Sequence, residues 1–457
     1  MRVAHLMSRS CCLCLVVGLT VGCGRESPRS EPQPSTGVAG VTAQASLGGA
    51  SGVAGMGVVG KTPASGAGAA GNPGLPTGGV AAAGTQGPPP SAAGAGAAPS
   101  AGMSGVAGLG GAGSAGTGGV PSAGTGVPAS SSDVWVSAQG ADTNPGTQAA
   151  PFATLAKAVA ALKPGMTAWI MPGDYAVTQT IKLTQTATEQ QPLRISAAPG
   201  GDPDARPRFD FSAQPRGESS ARGLSISGEY WHVRGLELMK AGDNCIHISG
   251  AHNTIENVIT HGCDDTGIQI TADGSQASDN TRAAHNLILN CDSYENYDSQ
   301  NAGENADGFA AKLYIGPGNV FRGCRAWNNS DDGWDLFASN DVVTIENSWA
   351  IANGKIGAAQ NNTNGDGNGF KLGGAAKDEY QGGAEHIVKG CASIGNRACG
   401  YTLNNNTKTP KLSMCGGQGD GKGTYCSLSS SGSLSVAISV KDAIAAKRKP
   451  DGSLPDF

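Results

Sequence analysis

Gly318-Asn-Val-Phe-Arg-Gly-Cys324, which leads into Arg325-Ala-Trp-Asn-Asn-Ser-Asp-Asp-Gly-Trp-Asp335, is a stretch whose form recurs along the chain. Each copy opens with alternating apolar and other residues, the pattern of a half-buried strand, and ends in Asn or Gly followed by Cys or Ser. The other copies are His285-Asn-Leu-Ile-Leu-Asn-Cys291, Val342-Val-Thr-Ile-Glu-Asn-Ser348, Glu385-His-Ile-Val-Lys-Gly-Cys391 and a weaker one, His252-Asn-Thr-Ile-Glu-Asn-Val258. The recurrence predicts a scaffold of stacked, similar coils.

The spacing inside each copy is constant. An asparagine lies five residues past each Cys or Ser, at Asn296, Asn329, Asn353 and Asn396. A second short strand then opens with glycine and a large side chain, at Gly267-Ile268, Gly308-Phe309, Gly333-Trp334, Gly369-Phe370 and Gly400-Tyr401. Constant register with variable total length fits a solenoid with insertions at one loop. The many short strands indicate an all-β parallel β-helix, in which the asparagines stack and hydrogen-bond from coil to coil.

The 457-residue chain divides into three parts by composition. Residues 1–23 have two early arginines and a short apolar run, as in a secretion signal. Residues 24–132 are rich in Gly, Ala, Ser and Pro and contain no aromatic residue, which predicts a disordered tether. Residues 133–457 form the predicted β-helix domain, with a capping helix at 154–162 and a short helix at 440–447 that covers the other end.

The end of the leader allows two interpretations. Val21-Gly22-Cys23 resembles a bacterial lipoprotein cleavage site, which would place a lipid on Cys23. Thr20 stands where a larger aliphatic residue is usual, and an ordinary signal peptide that contains a cysteine is the alternative. Both predict a bacterial protein that is secreted or carried as a lipoprotein on the outer surface or in the periplasm.

Charge and cysteine content limit the partners and the compartment. The net charge of −5 is mild and no basic tract is present, so we expect no nucleic-acid partner, and we expect a monomer. An even number of cysteines follows the leader, which permits disulfides in an exported protein. Cys415 and Cys426 bracket a Gly-rich loop and are the expected pair. Cys291, Cys324 and Cys391 are expected to form a stack of buried small side chains.

Four carboxylates recur in matched positions near the second strands. Asp307 and Asp332 each precede a Gly-aromatic step, and Asp331 and Asp335 flank the second of these steps. Adjacent coils lie about 4.8 Å apart, so Asp307 and Asp332 should be neighbours whose charges repel unless a cation lies between them. Clustered carboxylates suit Ca²⁺ better than Mg²⁺, and a solvated acidic edge or a proton-sharing pair is the alternative.

A lysine occupies the same register one coil later, in Gly369-Phe370-Lys371. Position alone allows two roles for Lys371. It could neutralise the acidic patch, or it could act as a base beside a bound metal.

Several blocks, in order and at compatible spacing, make the chain resemble the pectate lyases of polysaccharide lyase family 9. They are Asn290-Cys-Asp-Ser-Tyr294, Gly303-Glu-Asn-Ala-Asp-Gly-Phe309, the stretch from Arg325 to Asp335, Gly367-Asn-Gly-Phe-Lys-Leu-Gly-Gly374 and Asn404-Asn-Asn406. The resemblance implies a right-handed parallel β-helix. It also implies Ca²⁺ held by Asp307, Asp331, Asp332 and Asp335, with Lys371 as the general base.

The resemblance further implies β-elimination on polygalacturonate (pectate), an acidic polysaccharide. Four basic residues are candidates to bind its carboxylates, each with a solvated surface charge as the alternative: Lys312, Arg325, Lys389 and Arg397. Two other functions remain open. One is a β-helical polygalacturonase-type hydrolase that uses acid pairs, although the chain lacks the Gly-His-Gly and Arg-x-Lys elements associated with it. The other is a calcium-stabilised polysaccharide-binding or adhesive β-helix without catalysis.

Overall fold

A computed structural model describes residues 130, 132–200, 205–272, 281–356, 360–374 and 383–457. The predicted leader and nearly all of the predicted tether lie outside these residues, so both stay predictions. Within the described part of the chain, no helix is long and apolar enough to cross a membrane.

Short strands make up most of the described structure. They are β1 (Val134–Val136), β2 (Thr167–Ile170), β3 (Gly173–Ala176), β4 (Ile181–Leu183), β5 (Leu193–Ala197), β6 (Pro207–Asp210), β7 (Leu224–Ile226), β8 (Trp231–Arg234), β9 (Glu237–Met239), β10 (Ile246–Ile248), β11 (Thr254–Glu256), β12 (Ile259–His261), β13 (Ile268–Ile270), β14 (Leu287–Leu289), β15 (Asp292–Tyr294), β16 (Phe309–Ala311), β17 (Asn319–Arg322), β18 (Arg325–Trp327), β19 (Trp334–Asp335), β20 (Val343–Glu346), β21 (Trp349–Ile351), β22 (Lys355–Ile356), β23 (Gln360–Asn361), β24 (Phe370–Lys371), β25 (Ile387–Lys389), β26 (Ala392–Ile394), β27 (Cys399–Thr402), β28 (Lys411–Gln418), β29 (Gly423–Cys426) and β30 (Ser430–Ser433). The helices are α1 (Leu155–Ala161) and α2 (Val440–Ala445).

The strands stack in parallel on three faces, and most coils contribute one strand to each face. Face 1 contains β1, β2, β5, β8, β11, β14, β17, β20, β25, β28 and β30. Face 2 contains β3, β6, β9, β12, β15, β18, β21 and β26. Face 3 contains β4, β7, β10, β13, β16, β19, β24, β27 and β29. The predicted parallel β-helix is confirmed.

The large side chains that follow glycine mark one row of the core. On face 3, Ile268 pairs with Phe309, Phe309 with Trp334, Trp334 with Phe370, and Phe370 with Tyr401. The four aromatic rings stack with centroids 4.8 Å apart and are fully buried. This register, predicted from the sequence, fixes where the residues beside each marker lie.

The turn between faces 1 and 2 explains why each first segment ends in Asn or Gly. That residue has a positive φ in successive coils: 54° at Asn290, 64° at Gly323, 49° at Asn347 and 64° at Gly390. Glycine adopts this conformation without cost, and asparagine tolerates it better than most residues. The residue that follows turns inward, and the expected stack of Cys291, Cys324 and Cys391 is confirmed as buried free thiols.

The predicted asparagine ladder lies in the turn between faces 2 and 3. The Nδ2 atoms of Asn296, Asn329 and Asn353 each donate to the Oδ1 atom of the asparagine in the next coil at 2.9 Å. Asp420 ends the ladder by accepting from Asn396 Nδ2 at 3.0 Å. These amides are buried and bonded on both sides, so the structural role predicted for them is confirmed.

A second ladder at the start of face 1 was not predicted. Asn286 Oδ1 accepts from the backbone N–H of Asn253 at 3.0 Å, and Asn319 Oδ1 accepts from that of Asn286 at 3.1 Å. The signal was present in the recurring segments, because an asparagine stands second in three of the five copies.

Two predictions about the C-terminal region need correction. Helix α2 exists, but it packs on the outside of face 2 against β21 instead of covering the end of the solenoid. The disulfides are Cys399–Cys426 and Cys245–Cys263, and Cys415 is a buried free thiol. The residue before Cys415, Met414, has a φ of 50°, so Cys415 turns inward like Cys391 and continues the thiol stack. The N-terminal capping helix is present as α1, which packs against β1, β2 and β4.

Candidate metal centre and active site

Three of the four predicted carboxylates converge in the turn that precedes face 3. The backbone N–H of Gly308 donates to the carbonyl oxygen of Asp332 at 3.0 Å, so Asp307 and Asp332 occupy matching positions in adjacent coils. One carboxylate oxygen from each of Asp307, Asp331 and Asp332 lies within 4.8 Å of the other two. All three side chains are buried. The predicted juxtaposition of Asp307 and Asp332 is confirmed.

Asp307 is held by polar groups on both of its oxygens. Oδ1 accepts from the backbone N–H of Asp332 at 3.2 Å, and Oδ2 accepts from Thr266 Oγ1 at 3.0 Å and from Lys312 Nζ at 3.1 Å. Hydrogen bonds from a neutral hydroxyl and from the backbone orient the carboxylate without neutralising it. Lys312 supplies the balancing charge on this side of the cluster.

The other two carboxylates are oriented by the loops around them. Asp331 accepts from the backbone N–H of Asn305 at 3.1 Å and from that of Asp366. Asp332 Oδ1 accepts from Asn368 through its backbone N–H at 2.6 Å and through Nδ2 at 3.0 Å. Asp332 Oδ2 is buried and has no hydrogen-bond partner among the described residues. A buried carboxylate oxygen that receives no hydrogen bond, beside two other carboxylates, is a good fit for a hard cation such as Ca²⁺.

The predicted base lies against these acids. Lys371 pairs in register with Asp335 across β19 and β24, as the sequence indicated. Its Nζ atom is 3.4 Å from Asp332 Oδ2, 3.6 Å from Asp335 Oδ1 and 3.0 Å from Asp366 Oδ2. The Lys371 side chain is about nine-tenths buried, with 10% of its surface exposed. A lysine so placed can both neutralise the acids and meet a substrate bound above them.

Asp335 lies between the two lysines. Its Oδ2 atom is 3.3 Å from Lys312 Nζ, its Oδ1 atom is 3.6 Å from Lys371 Nζ, and Oδ1 accepts from the backbone N–H of Phe337 at 2.9 Å. In this metal-free arrangement Asp335 bridges the two ammonium groups, whereas the other three acids face one another.

Burial and mutual repulsion shift the pKa values of the charged groups in the cluster. Burial, reinforced by the neighbouring carboxylates, raises the pKa of Asp307 and Asp332 well above the ordinary aspartate value and raises the pKa of Asp331 as well. For Lys371, burial alone would lower the pKa, but the surrounding carboxylates, Asp335 first, outweigh burial and raise it. The same balance, dominated by Asp307, raises the pKa of Lys312. Positive charge is therefore strongly favoured inside the cluster.

Sequence reasoning assigned no role to Asp366, nor to Thr266 and Asn368, which orient the carboxylates. Asp366 reaches Lys371 from a long insertion between β21 and β24, and its carboxylate is half exposed. Insertions break the register that places residues in a solenoid. No spacing rule could therefore have brought Asp366 next to Lys371, and only its nearness in sequence to Gly369-Phe370-Lys371 was a signal.

The other predicted basic residues are not all brought together. Arg325 lies on face 2, where it pairs with Asp292 and donates to carbonyl groups at the end of α2. Lys389 is exposed on face 1. The structure therefore places neither at the carboxylate cluster. Arg397 lies near the cluster, but its Nη2 atom donates to the carbonyl oxygens of Gly365 and Asp366.

Comparisons with known proteins find relatives in sequence and in fold. A family model described as "Pel9A-like, right handed beta helix region" matches residues 134–431. "Pectate lyase L" of Paenibacillus polymyxa is 41% identical over 297 residues, which are 64% of this chain and 64% of that protein. "Pectate lyase L" of Dickeya chrysanthemi is 37% identical over 279 residues, or 60% of this chain and 61% of that protein. The chain thus spans less than two thirds of these relatives.

Two solved structures share the fold over most of the described region. The crystal structure of pectate lyase Pel9A aligns with a TM-score of 0.59 and 32% identity, over 71% of this chain and 87% of that one. A structure named "Rhamnogalacturonan lyase" aligns with a TM-score of 0.58 over 71% of this chain and 95% of that one. At 24% identity, the second likeness concerns the fold alone.

Proposed function

The chain belongs to the Pel9A-like right-handed β-helix family, and on that premise we propose that it is a calcium-dependent pectate lyase that cleaves polygalacturonate by β-elimination. The observation that carries the proposal is the buried carboxylate cluster, in which Asp332 Oδ2 receives no hydrogen bond from the described residues and lies 3.4 Å from the amine of Lys371. A hard-cation site and a candidate base in contact are the two parts that this chemistry needs.

The proposed calcium ligands are Asp307, Asp331, Asp332 and Asp335. Their oxygens are hard donors, and three of the carboxylates already lie close enough to share one ion. When bound, Ca²⁺ would supply positive charge beside the uronate carboxylate and so stabilise the negative charge that develops on it. Asn305, Asn368 and Thr266 would keep the ligands oriented through the hydrogen bonds described above.

Lys371 is the proposed general base. In its neutral form its amine would accept the proton from ring carbon 5 of the uronate. The electrons of that C–H bond would form a double bond between carbons 4 and 5 as the bond from carbon 4 to the glycosidic oxygen breaks, and the departing oxygen would take a proton from water. The acids around Lys371 raise its pKa in the metal-free protein, which opposes this role. Charge neutralisation of those acids lowers the pKa of Lys371 again, so activity should rise toward alkaline pH and should require the cation.

Substrate binding would use positive charge near the base. Lys312 lies nearest, across Asp335 from Lys371, and we propose that it adds to the positive field that holds the uronate carboxylates. Arg325 and Lys389 remain candidates only for contacts remote from the cluster, because they lie on other faces of the solenoid.

We also propose that the protein is exported. The Cys399–Cys426 and Cys245–Cys263 disulfides support an oxidising compartment. The predicted leader and the tether of residues 24–132 would carry the β-helix outside the cell or hold it at a membrane through lipid on Cys23. Mass spectrometry of the mature N-terminus distinguishes the two forms.

The test is incubation of the protein with polygalacturonate, with calcium and with a chelator. β-Elimination produces a conjugated product that absorbs in the ultraviolet, and we expect this absorbance only with calcium. Chain shortening without the absorbance would indicate a hydrolase instead. Binding of polygalacturonate without shortening would indicate an adhesive or storage function.

A further inference from the structure

Arg397 is a predicted substrate-binding residue whose side chain the structure finds engaged with protein. Its Nη2 atom donates to two backbone carbonyls, those of Gly365 and, at 2.9 Å, Asp366. Arg397 Nε is buried and has no hydrogen-bond partner among the described residues. The planar guanidinium is therefore aimed into segment 365–368, which is part of the insertion that precedes β24.

The insertion closes tightly around this arginine. Gly354 and Gly367 have φ values of 81° and 72°. A Cβ atom at Gly354 would lie 2.8 Å from Arg397 Cβ, and one at Gly367 would lie 2.8 Å from Arg397 Nε. Such contacts are shorter than real Cβ atoms make, so only glycine allows the backbone to approach the arginine this closely.

The segment that Arg397 holds also holds two of the proposed metal ligands. The backbone N–H of Asp366 donates to Asp331 Oδ1, and Asn368 donates twice to Asp332 Oδ1. These bonds use one oxygen of each carboxylate and leave Asp332 Oδ2 without a hydrogen bond from the described residues, at 3.4 Å from Lys371 Nζ. Asn368 is itself fixed from the next coil, because its Oδ1 atom accepts from the backbone N–H of Cys399 at 3.2 Å.

We propose that Arg397 is a positioning residue that sets the calcium affinity of the carboxylate cluster through segment 365–368, without touching the ion. This inference rests on the proposed function in that it requires calcium at the cluster. Partners that orient metal ligands typically contribute about 10- to 100-fold in metal affinity. Both bonds are donated by Nη2, at the end of a flat guanidinium on a side chain that is longer than that of lysine, so a lysine would reach the two carbonyls less completely.

The experiment measures calcium binding directly, by isothermal titration of the chelator-treated full chain with calcium chloride and no substrate. We expect Arg397→Gln to weaken calcium binding by about 10-fold, the lower end of the range for such partners because Arg397 acts through segment 365–368, and Arg397→Lys to restore part of the loss. Arg234→Gln is the matched control, because Arg234 pairs with Glu256 on face 1. The calcium affinity of this variant should equal that of the wild type.

Activity separates positioning from substrate binding. If Arg397 acts on the metal site, the Arg397→Gln variant regains wild-type kcat and KM for polygalacturonate when calcium is raised to saturation. A KM for polygalacturonate that stays elevated at saturating calcium, with normal calcium affinity, would overturn the inference and support the predicted substrate contact.

A second variant tests segment 365–368 without changing Arg397. Gly367→Ala leaves Arg397 in place but forces segment 365–368 away from it, and circular dichroism checks that the β-helix is intact. We expect weaker calcium binding in this variant too, and unchanged affinity in both variants would contradict the inference. Absence of calcium binding by the wild-type protein would instead refute the proposed function, and this inference with it.

Discussion

Two stacks of polar side chains lie side by side in the turn between faces 2 and 3. In one, Asn296, Asn329, Asn353 and Asn396 form a ladder in which each amide donates to the next at 2.9 Å. In the other, Asp307, Asp331 and Asp332 meet with oxygens within 4.8 Å of one another. The coil spacing is the same for both, so the difference lies in the side chains.

An amide both donates and accepts, so a stack of amides satisfies itself. An ionised carboxylate only accepts, so a stack of carboxylates needs donors or cations from elsewhere. The protein supplies Thr266, Asn305, Asn368 and two lysines. One buried oxygen, Asp332 Oδ2, still receives no hydrogen bond from the described residues and has an ion pair with Lys371 at 3.4 Å. The same coil geometry thus holds a turn of amides that satisfy one another and a turn of carboxylates that do not. A bound metal ion would stabilise the acidic turn more than the amide turn.

The largest effect should come from removing the amine that distinguishes the acidic turn. Lys371→Ala is expected to reduce turnover of polygalacturonate by about 100- to 10,000-fold, because the general base is lost. Formation of the unsaturated product at saturating calcium measures this. Lys163→Ala, which removes an exposed lysine in the turn after α1, is the control and should retain full activity. Wild-type turnover by Lys371→Ala would remove Lys371 from the mechanism.

Replacing one acid by an amide makes the acidic turn resemble the ladder. Asp332→Asn keeps the shape of the side chain but removes one ligand charge, and we expect calcium affinity to fall by more than the roughly 10- to 100-fold typical of an outer partner. Isothermal titration measures the change, with Asp456→Asn, a substitution at an exposed ion pair, as the control. Equal affinity of Asp332→Asn and wild type would place the ion elsewhere.

The converse substitution places an acid in the ladder. In Asn353→Asp, the atom that donates to Asn396 Oδ1 at 2.9 Å becomes an acceptor that faces another acceptor. We expect the free energy of unfolding at neutral pH to fall by about 1–3 kcal/mol, the cost of an unsatisfied buried polar group. Urea denaturation measures it, and kcat of the folded variant should be unchanged. An unaltered urea midpoint would show that the ladder contributes little to stability.

The smallest effect concerns pH in the metal-free protein. The pKa values of Asp307, Asp331 and Asp332 are raised in the folded state, so the folded chain binds more protons than the unfolded chain above the ordinary aspartate pKa. Stability should therefore fall as pH rises through the range between the unfolded and the folded pKa values. The raised pKa values of Lys312 and Lys371 add a constant contribution there, because both lysines stay charged in either state.

Urea midpoints at about pH 5 and about pH 8, with chelator and with calcium, measure this dependence. With chelator, we expect the urea midpoint to be lower at the higher pH. With calcium, we expect the difference between the two midpoints to be smaller or reversed. If the urea midpoint of the chelator-treated protein instead rises with pH, ionisation of these carboxylates does not destabilise the folded state.

The sequence predicted those parts that follow the register of the solenoid. Asp307, Asp332, Asp335 and Lys371 could be placed because each stands at a fixed distance from a Gly-aromatic step. Asp366 could not be placed, because it comes from an insertion whose course depends on contacts with Arg397 and Asp331.

The disulfide partner of Cys426 was predicted wrongly for a related reason. The prediction paired Cys415 with Cys426 across a Gly-rich loop, whereas Cys415 continues the inward-facing row of Cys391, and Cys399 pairs with Cys426 on face 3. Substrate contacts made by Arg325 and Lys389 remain untested predictions, because the sequence pattern does not show which face of the solenoid binds the substrate.

The most direct measurement is a crystal structure of the protein grown with calcium, in which anomalous scattering identifies the ion. We predict one calcium ion bound by oxygens of Asp307, Asp331, Asp332 and Asp335 at about 2.3–2.6 Å, with the Lys371 amine beside it. A structure in which these carboxylates lie apart, or in which the ion binds elsewhere, would contradict the account.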